Sequence, residues 1–319
     1  MRMIIKRIIS IAALVAMLSG CNDIGNPEGD LKDIKLEDWP LTDCSTSTMP
    51  ARDLVAYKLL GVPYKWEEDW MGSPTYIIQP DFSGTKTSFS YRDYLDKNLC
   101  SGTHGAYMNL IEGKTDVIIA SRDISRNETA SAAELGVELK TAPLAIDALV
   151  FIVNPKNPVK NLTADQVRKI YTGEITNWKE VGGNDATINP YIRNANSGSQ
   201  EKMETIVMNG LKMIDWPEMV GYVMLSPYYQ LEQDENGIAY TPFYYYDTIV
   251  NDDRTQVIGV NGIVPSKQTI EDDSYPYVTH VMASVRANTD KSSTTYQLFY
   301  QLATGQHNDI VKESGYIVD

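Results

Sequence analysis

The stretch Ala142 to Gly183, APLAIDALVFIVNPKNPVKNLTADQVRKIYTGEITNWKEVGG, decides the fold. Within it, Asp147 to Asn154 (DALVFIVN) is a short apolar, β-branched run. Such a run suits a buried strand of a parallel sheet, because both of its faces are covered. After it, Thr163 stands as an N-cap before ADQVRKIY, which predicts a helix over residues 163–171.

The same alternation continues outward. Pro50 to Gly61 reads as a helix, with Pro at its start and Gly at its end. Gly105 to Gly113 reads as a short helix closed by Gly, and Asp116 to Ala120 as a second buried strand. Residues 62–98 mix aromatics with Gly and Pro and fit either irregular structure or a hairpin. Downstream, Thr187 to Arg193 reads as a strand that leads through Ser197-Gly198-Ser199 into a long amphipathic helix reaching about Ile214. Thr255 to Val260 and Tyr277 to Val285 are strand-like, and helices around Ser293–Ala303 and Gln306–Glu313 close the chain. Alternating strands and helices predict an α/β fold with mainly parallel sheets flanked by helices. A length of 319 residues exceeds what one core serves, so two lobes are expected.

The ends and the charge set the setting. Met1 to Arg7 is basic and Ile8 to Met17 is apolar but too short to span a membrane. Leu18-Ser19-Gly20-Cys21 then resembles the bacterial lipobox, which implies cleavage before Cys21 and lipidation of that cysteine. Residues 1–20 are therefore expected to be a lipoprotein signal and residues 21–40, polar and aperiodic, a tether. The formal charge of −14 becomes −17 once Arg2, Lys6 and Arg7 leave with the leader. That balance argues against nucleic acid as a partner and against a polybasic membrane patch. Three Cys and three widely spaced His, without H-E-x-x-H or zinc-type Cys spacing, predict no metal and no cofactor. No G-x-S-x-G elbow is present, and nothing points to an enzyme.

What recurs is a Gly/Ser/Thr-rich loop feeding a helix. The three cases are Asp43 to Pro50 (DCSTSTMP), Ser101 to Gly105 (SGTHG) and Arg193 to Ser199 (RNANSGS). A helix N-terminus offers free N–H donors and the positive end of its dipole, which favour an anion. Small residues allow close backbone approach, hydroxyls add donors, and Arg193 supplies a planar charged fork. Together the three loops predict one shared oxyanion site.

These segments resemble the phosphate-binding proteins of bacterial ABC transporters. DCSTSTMP is similar to the family's first loop, GTHGAYMNLIEGKTDVIIA to its second loop, helix and strand, and IRNANSGSQ to its R-x-x-x-S-G-T loop. The run from DALVFIVN through IYTGEITNW to GG is close to a family signature, and VNGIVPSKQTIEDDSYPY and GYIV extend the likeness to the end. The resemblance implies the two-lobed type II periplasmic binding protein fold. Lobe 1 would comprise residues 41–146 plus 276–319 and lobe 2 residues 147–275, with crossings near Leu144–Asp147 and Tyr275–Val278. It implies ligand contacts from Thr46, Ser47, Thr48 and the Met49 backbone, from Thr103, and from Arg193, Ser197, Gly198 and Ser199. The function implied is capture of inorganic phosphate or a related oxyanion by a monomeric, extracytoplasmic, lipid-anchored protein that serves an ABC transporter permease. A sensor or adhesion component with an altered site on the same fold is the alternative.

Two departures bear on that alternative. Where the family places an acid after the strand ending at Ala120, this chain has Arg122, followed by Asp123. Arg122 in the cleft would add a cation and remove an acceptor; a shift of one residue would let Asp123 restore it. The second departure is Cys44 in place of the family's Gly. Cys44 and Cys100 both precede ligand loops, and in an oxidising compartment they are candidates for a disulfide, the alternative being two free thiols.

Overall fold

The computed structural model describes Pro27, Leu31 and residues 34–68, 75–83 and 89–318. The signal segment and Cys21 lie outside these residues. Among the described residues no helix is long and apolar enough to cross a membrane.

A single strand, Leu139–Val153, organises the molecule. Its first part lies antiparallel to Val278–Arg286, with Leu139 opposite Arg286 and Ala148 opposite Val278. Its second part is flanked by Gly237–Pro242 on one edge and Gln256–Val260 on the other, both antiparallel to it. From Ala145 onward every residue of the strand is buried. Two parallel pairs extend the sheet at its ends, Thr42–Cys44 with Val117–Ala120 and Gly237–Ile238 with Asn189–Pro190. The expected α/β architecture with flanking helices is present, but the sheet is mixed rather than mainly parallel. The reason is that every neighbour of the long strand is antiparallel to it: Gly237–Pro242 and Gln256–Val260 along its second part, and Val278–Arg286, which inserts between Val117–Ala120 and its first part.

Two cores form along the long strand. The first gathers Leu54, Val55 and Tyr57 of the helix Met49–Leu60 with Ile119, Val281, Phe299, Val311 and Tyr316. The second gathers Leu149, Phe151, Val167, Tyr171, Trp178, Tyr240 and Ile258. Ala145 belongs to the first and Ile146 to the second. Burying a side chain such as Phe151 contributes about 1.5–3 kcal/mol relative to exposure, and this residue is wholly inaccessible.

Three local expectations need correction. The segment expected to be a tether is docked at three points: Leu31, Leu36 and Trp39 are buried in the first core, because these three apolar side chains find its surface. Tyr244 and Ile249, expected wholly within the second lobe, also pack in the first core. There Tyr244 stacks on Tyr316 with ring centroids 3.7 Å apart and donates its hydroxyl to Ser314 O. Finally, the amphipathic helix after Ser199 is short. It runs as Gly198–Lys202, widens over Met203–Val207, and stops where Asn209 and Gly210 take left-handed φ values of 46° and 90°.

Elsewhere local chemistry sets the elements as read. Thr163 caps the helix Ala164–Tyr171 by accepting from Gln166 N, and Ser293 caps Thr294–Ala303 by accepting from Tyr296 N. The ambiguous 62–98 region contains a hairpin, Tyr64–Glu68 with Tyr76–Pro80, and a helix, Tyr91–Lys97.

Candidate functional site

The three Gly/Ser/Thr loops meet around one cavity of about 470 Å³. Ser45, Thr46 and Ser47, residues 101–105 and Ser121 line it from the side of the first core. Residues 193–199 and 222–224 line it from the side of the second.

The first and second loops are tied together by a carboxylate. Asp43 Oδ1 accepts from Cys44 N at 2.7 Å and from Ser101 N at 2.8 Å, while Oδ2 accepts from Asn109 Nδ2 at 2.7 Å. Above it runs a chain of hydroxyls. Ser45 Oγ lies 2.8 Å from Thr103 Oγ1, which lies 3.2 Å from Ser121 Oγ, and Ser121 N donates back to Ser45 Oγ at 2.9 Å. Gly102 begins the helix Gly102–Ile111 with φ 76°, a conformation that favours glycine, so the loop enters the helix with small side chains at its mouth.

The third loop closes against the other two. Asn196 turns it at φ 67°, and Ser197 caps the following helix by accepting from Gln200 N at 3.1 Å. Gly198 fits so closely that a Cβ there would stand 2.5 Å from both Thr103 Oγ1 and Ser121 Oγ. The two sides of the cavity therefore touch at one glycine.

Arg193 is the charged member. It is only 6% exposed. Its backbone N donates to Gln200 Oε1 and to the Tyr240 hydroxyl, both at 3.1 Å. Nε donates to Gly221 O at 2.9 Å and Nη1 to Met224 Sδ at 3.3 Å, which fixes the guanidinium plane. Among the described residues it has no ion pair. Burial lowers its pKa, and the nearby groups that oppose the shift are the phenols of Tyr240 and Tyr245. A buried cation without a counter-charge is costly, and an anion in the cavity would relieve that cost.

Seven of the nine residues carried over from the family resemblance line the cavity: Thr46, Ser47, Thr103, Arg193, Ser197, Gly198 and Ser199. Thr48 and Met49 do not. The turn Thr46–Thr48 directs the Thr48 hydroxyl to Ile119 O at 2.7 Å and Ser45 O at 3.0 Å, so it anchors the loop to the neighbouring strand. The Met49 side chain faces solvent.

Arg122 and Asp123 also lie outside the lining. Arg122 forks onto Glu128, Nη1 to Oε2 at 2.9 Å and Nη2 to Oε1 at 2.8 Å, and packs over Tyr107. Asp123 Oδ1 accepts from Ile124 N at 2.7 Å. Neither residue supplies the charge or the acceptor that the sequence left open.

Cys44 and Cys100 are free thiols, so the expected bridge is not formed. The parallel pairing of Thr42 with Asn98 brings Cys44 beside Cys100, near enough for each thiol to shift the pKa of the other. Cys44 also donates to Leu99 O at 3.7 Å, a carbonyl that accepts from Arg52 Nη1 at 2.5 Å as well.

Sequence reasoning missed Ser45, Ser121 and residues 222–224 at the cavity. Ser45 stood within a recognised loop, but its side-chain direction is fixed by the strand before it. Tyr222 to Met224 carry no motif. Among the described residues no cluster of His, Cys, Asp and Glu could hold a metal ion.

A family model described as a PBP superfamily domain matches residues 94–306. The phosphate-binding protein PstS of Borreliella burgdorferi is 29% identical over 216 residues, covering 63% of this chain and 71% of that protein. Protein SphX of Synechocystis sp. is 29% identical over 263 residues, covering 76% of this chain and 74% of the relative. An ABC-type phosphate transport receptor from Vibrio cholerae shares the fold with a TM-score of 0.62 and 22% identity, covering 88% of this chain and all of that one. The family match spans more than half of the 319 residues, and the chain belongs to the PBP superfamily.

Proposed function

We propose that this protein is an extracytoplasmic solute-binding protein that captures inorganic phosphate between its two lobes and delivers it to the permease of an ABC transporter. The observation that carries the reading is Arg193, a buried guanidinium facing a cavity of hydroxyls and backbone donors with no carboxylate to pair it among the described residues. The relatives named as phosphate-binding proteins support the choice of anion. The pairing of Arg122 with Glu128 weighs against the altered-site alternative, because this cation is already neutralised outside the lining.

In this reading Thr46, Ser47, Thr103, Ser197, Gly198 and Ser199 donate to the oxyanion through hydroxyls and N–H groups, and Arg193 supplies the charge. Thr48 holds the first loop in place through Ile119 O. Lobe 1 takes residues 41–146 and 276–319 together with the docked Leu31, Leu36 and Trp39 and with Tyr244 and Ile249, lobe 2 takes the rest of 147–275, and binding draws the lobes together around crossings near Leu144–Asp147 and Tyr275–Val278. The protein carries out no bond-making step, is a monomer, and is tethered through lipidated Cys21. With −17 outside the leader, long-range attraction cannot bring an anion in, so short-range donors inside the cleft do the binding.

Calorimetry on phosphate-stripped protein tests this. Phosphate should give a saturable heat and a rise in melting temperature. Arg193→Ala should weaken binding by roughly tenfold to a hundredfold, the worth of a charged hydrogen bond. Absence of heat and of thermal shift with phosphate, sulfate and arsenate would overturn the function. An unchanged dissociation constant in Arg193→Ala would remove Arg193 from the site.

A further inference from the structure

A cage built only from donors cannot distinguish phosphate from sulfate, because both present four oxygens on a tetrahedron. The difference is one hydrogen: phosphate near neutral pH keeps an acidic O–H and sulfate has none. Selecting phosphate requires an atom that accepts and cannot donate. Hydroxyls do not qualify, since they rotate to serve either partner. No Asp or Glu is among the residues lining this cavity, and Arg122 and Asp123 are engaged elsewhere.

His104 lines the cavity from the first turn of the helix Gly102–Ile111. Its Nδ1 lies 3.0 Å from Glu128 Oε1, and the side chain is 34% exposed. Glu128 is itself inaccessible and is gripped by both Nη atoms of Arg122 and by Ser125 N at 2.8 Å. Burial alone would raise its pKa; the Arg122 hydrogen bonds and charge, the Ser125 N–H and His104 outweigh that and bring it below the ordinary value. Glu128 is therefore an ionised carboxylate, which can only accept. Whichever way the imidazole is turned, the nitrogen facing Glu128 must carry the hydrogen. In the neutral ring the opposite nitrogen then carries a lone pair, and among the described residues it has no protein partner.

We propose that His104 is the residue that selects a protonated oxyanion, its free ring nitrogen accepting the P–O–H hydrogen bond of bound phosphate. Arg122 and Glu128 are positioning residues: they fix the tautomer that makes the ring an acceptor. The cation at the position where the family carries an acid thus holds a different acceptor in place. Asn194 and Asn196 do not compete for the role. An amide offers a donor or an acceptor according to its rotation, and Asn194 Oδ1, although buried with no hydrogen-bond partner among the described residues, belongs to a side chain held only by its own loop through Nδ2 to Ala195 O at 3.3 Å, with no charged group to fix which end faces the ligand.

The inference rests on the phosphate reading above, and the test separates the two. Dissociation constants for phosphate and sulfate are measured by calorimetry in mildly alkaline buffer, where the two anions have equal charge and differ by one hydrogen. Wild-type protein should prefer phosphate strongly. His104→Phe, which removes the acceptor, should narrow the preference by roughly tenfold to a hundredfold, with sulfate affinity little changed. His104→Lys, which offers only donors, should favour sulfate. Wild-type protein that binds neither anion would defeat the phosphate reading itself. Tight phosphate binding with equal affinity for sulfate, or an unaltered preference in His104→Phe or His104→Lys, would overturn the role of His104 and leave the phosphate reading standing.

Discussion

Lys202 Nζ lies 3.8 Å from Asp147 Oδ2, and both side chains are buried to within 1% of full enclosure. Neither of these two atoms has a hydrogen-bond partner among the described residues. Asp147 stands on the long strand just past the division between the cores, where its Oδ1 accepts from Ala148 N at 2.8 Å and Tyr244 N at 2.9 Å. Lys202 comes from the helix that follows the third loop. Burial raises the carboxyl pKa and lowers that of the amine, and each partner pulls the other back. The pair links the binding loop to the crossing strand.

Removing one partner should expose that dependence. Lys202→Met leaves an uncompensated buried carboxylate and should destabilise by about 3–5 kcal/mol. Adding Asp147→Asn should recover most of the loss, since the amide keeps Oδ1 as an acceptor. Urea denaturation of the two single variants and the double variant measures the coupling. Independent, additive effects would show that the two groups do not interact.

Glu128 sets an acid limb. Its folded pKa is below the ordinary 4.5, despite burial, chiefly because of Arg122. Above 4.5 the carboxyl is ionised in both folded and unfolded chains, and the full stabilisation is present. As pH falls, the unfolded chain takes up the proton first, and the stabilisation is gone below the folded pKa. Melting temperature against pH should therefore drop below about pH 4.5 in wild-type protein. Glu128→Gln should be less stable at neutral pH by about 3–5 kcal/mol, as for any broken buried pair, and its acid drop should be shallower. Parallel curves for the two proteins would contradict this.

Gly198 is the contact point of the cleft. Gly198→Ala places a methyl 2.5 Å from the Thr103 and Ser121 hydroxyls. Overpacking costs about 1–3 kcal/mol, and here it acts between the two sides of the cavity. Phosphate affinity should fall by about tenfold to a hundredfold. The alanine variant binding as tightly as wild type in calorimetry would mean the loops do not meet so closely in the bound protein.

The two thiols should react differently. Cys100 is exposed and Cys44 buried. The hydrogen bond from Cys44 leads in lowering the Cys100 pKa, assisted by the charge of Arg52 and opposed by burial. Burial and its bond to Cys100 hold the Cys44 thiol up. In a Cys21→Ser variant, a maleimide should label one thiol quickly and the second only after unfolding. No labelling before reduction would indicate a disulfide instead.

Much of this architecture is legible in the sequence where local chemistry decides it. Thr163 and Ser293 announce their helices by capping, and the apolar run 147–154 announces a buried strand. Strand direction is not legible there. Whether Val278–Arg286 runs parallel or antiparallel depends on which gap in the sheet it enters, and its own residues do not encode that. The early end of the helix after Ser199 coincides with Asn209-Gly210, a turn signal inside the apolar periodicity that suggests a longer helix. In the cavity, the types of residue were readable and their directions were not. Thr46 and Thr48 have the same side chain in the same loop, yet a 3-10 turn brings the first to the cavity lining and leaves the second bonded to Ile119 O.

The placement of Val278–Arg286 has a consequence for biogenesis. This strand is the middle of the first core's sheet, although it is encoded after the whole segment that builds the second core. A ribosome working from the N-terminus releases the strands at 42–44, 117–120 and 139–153 long before the piece that joins them. Domains usually fold as units in the order of synthesis. Here the sheet of the first core must wait open until Val278–Arg286 has been made, so the first core is completed only after the whole segment of the second has been synthesised.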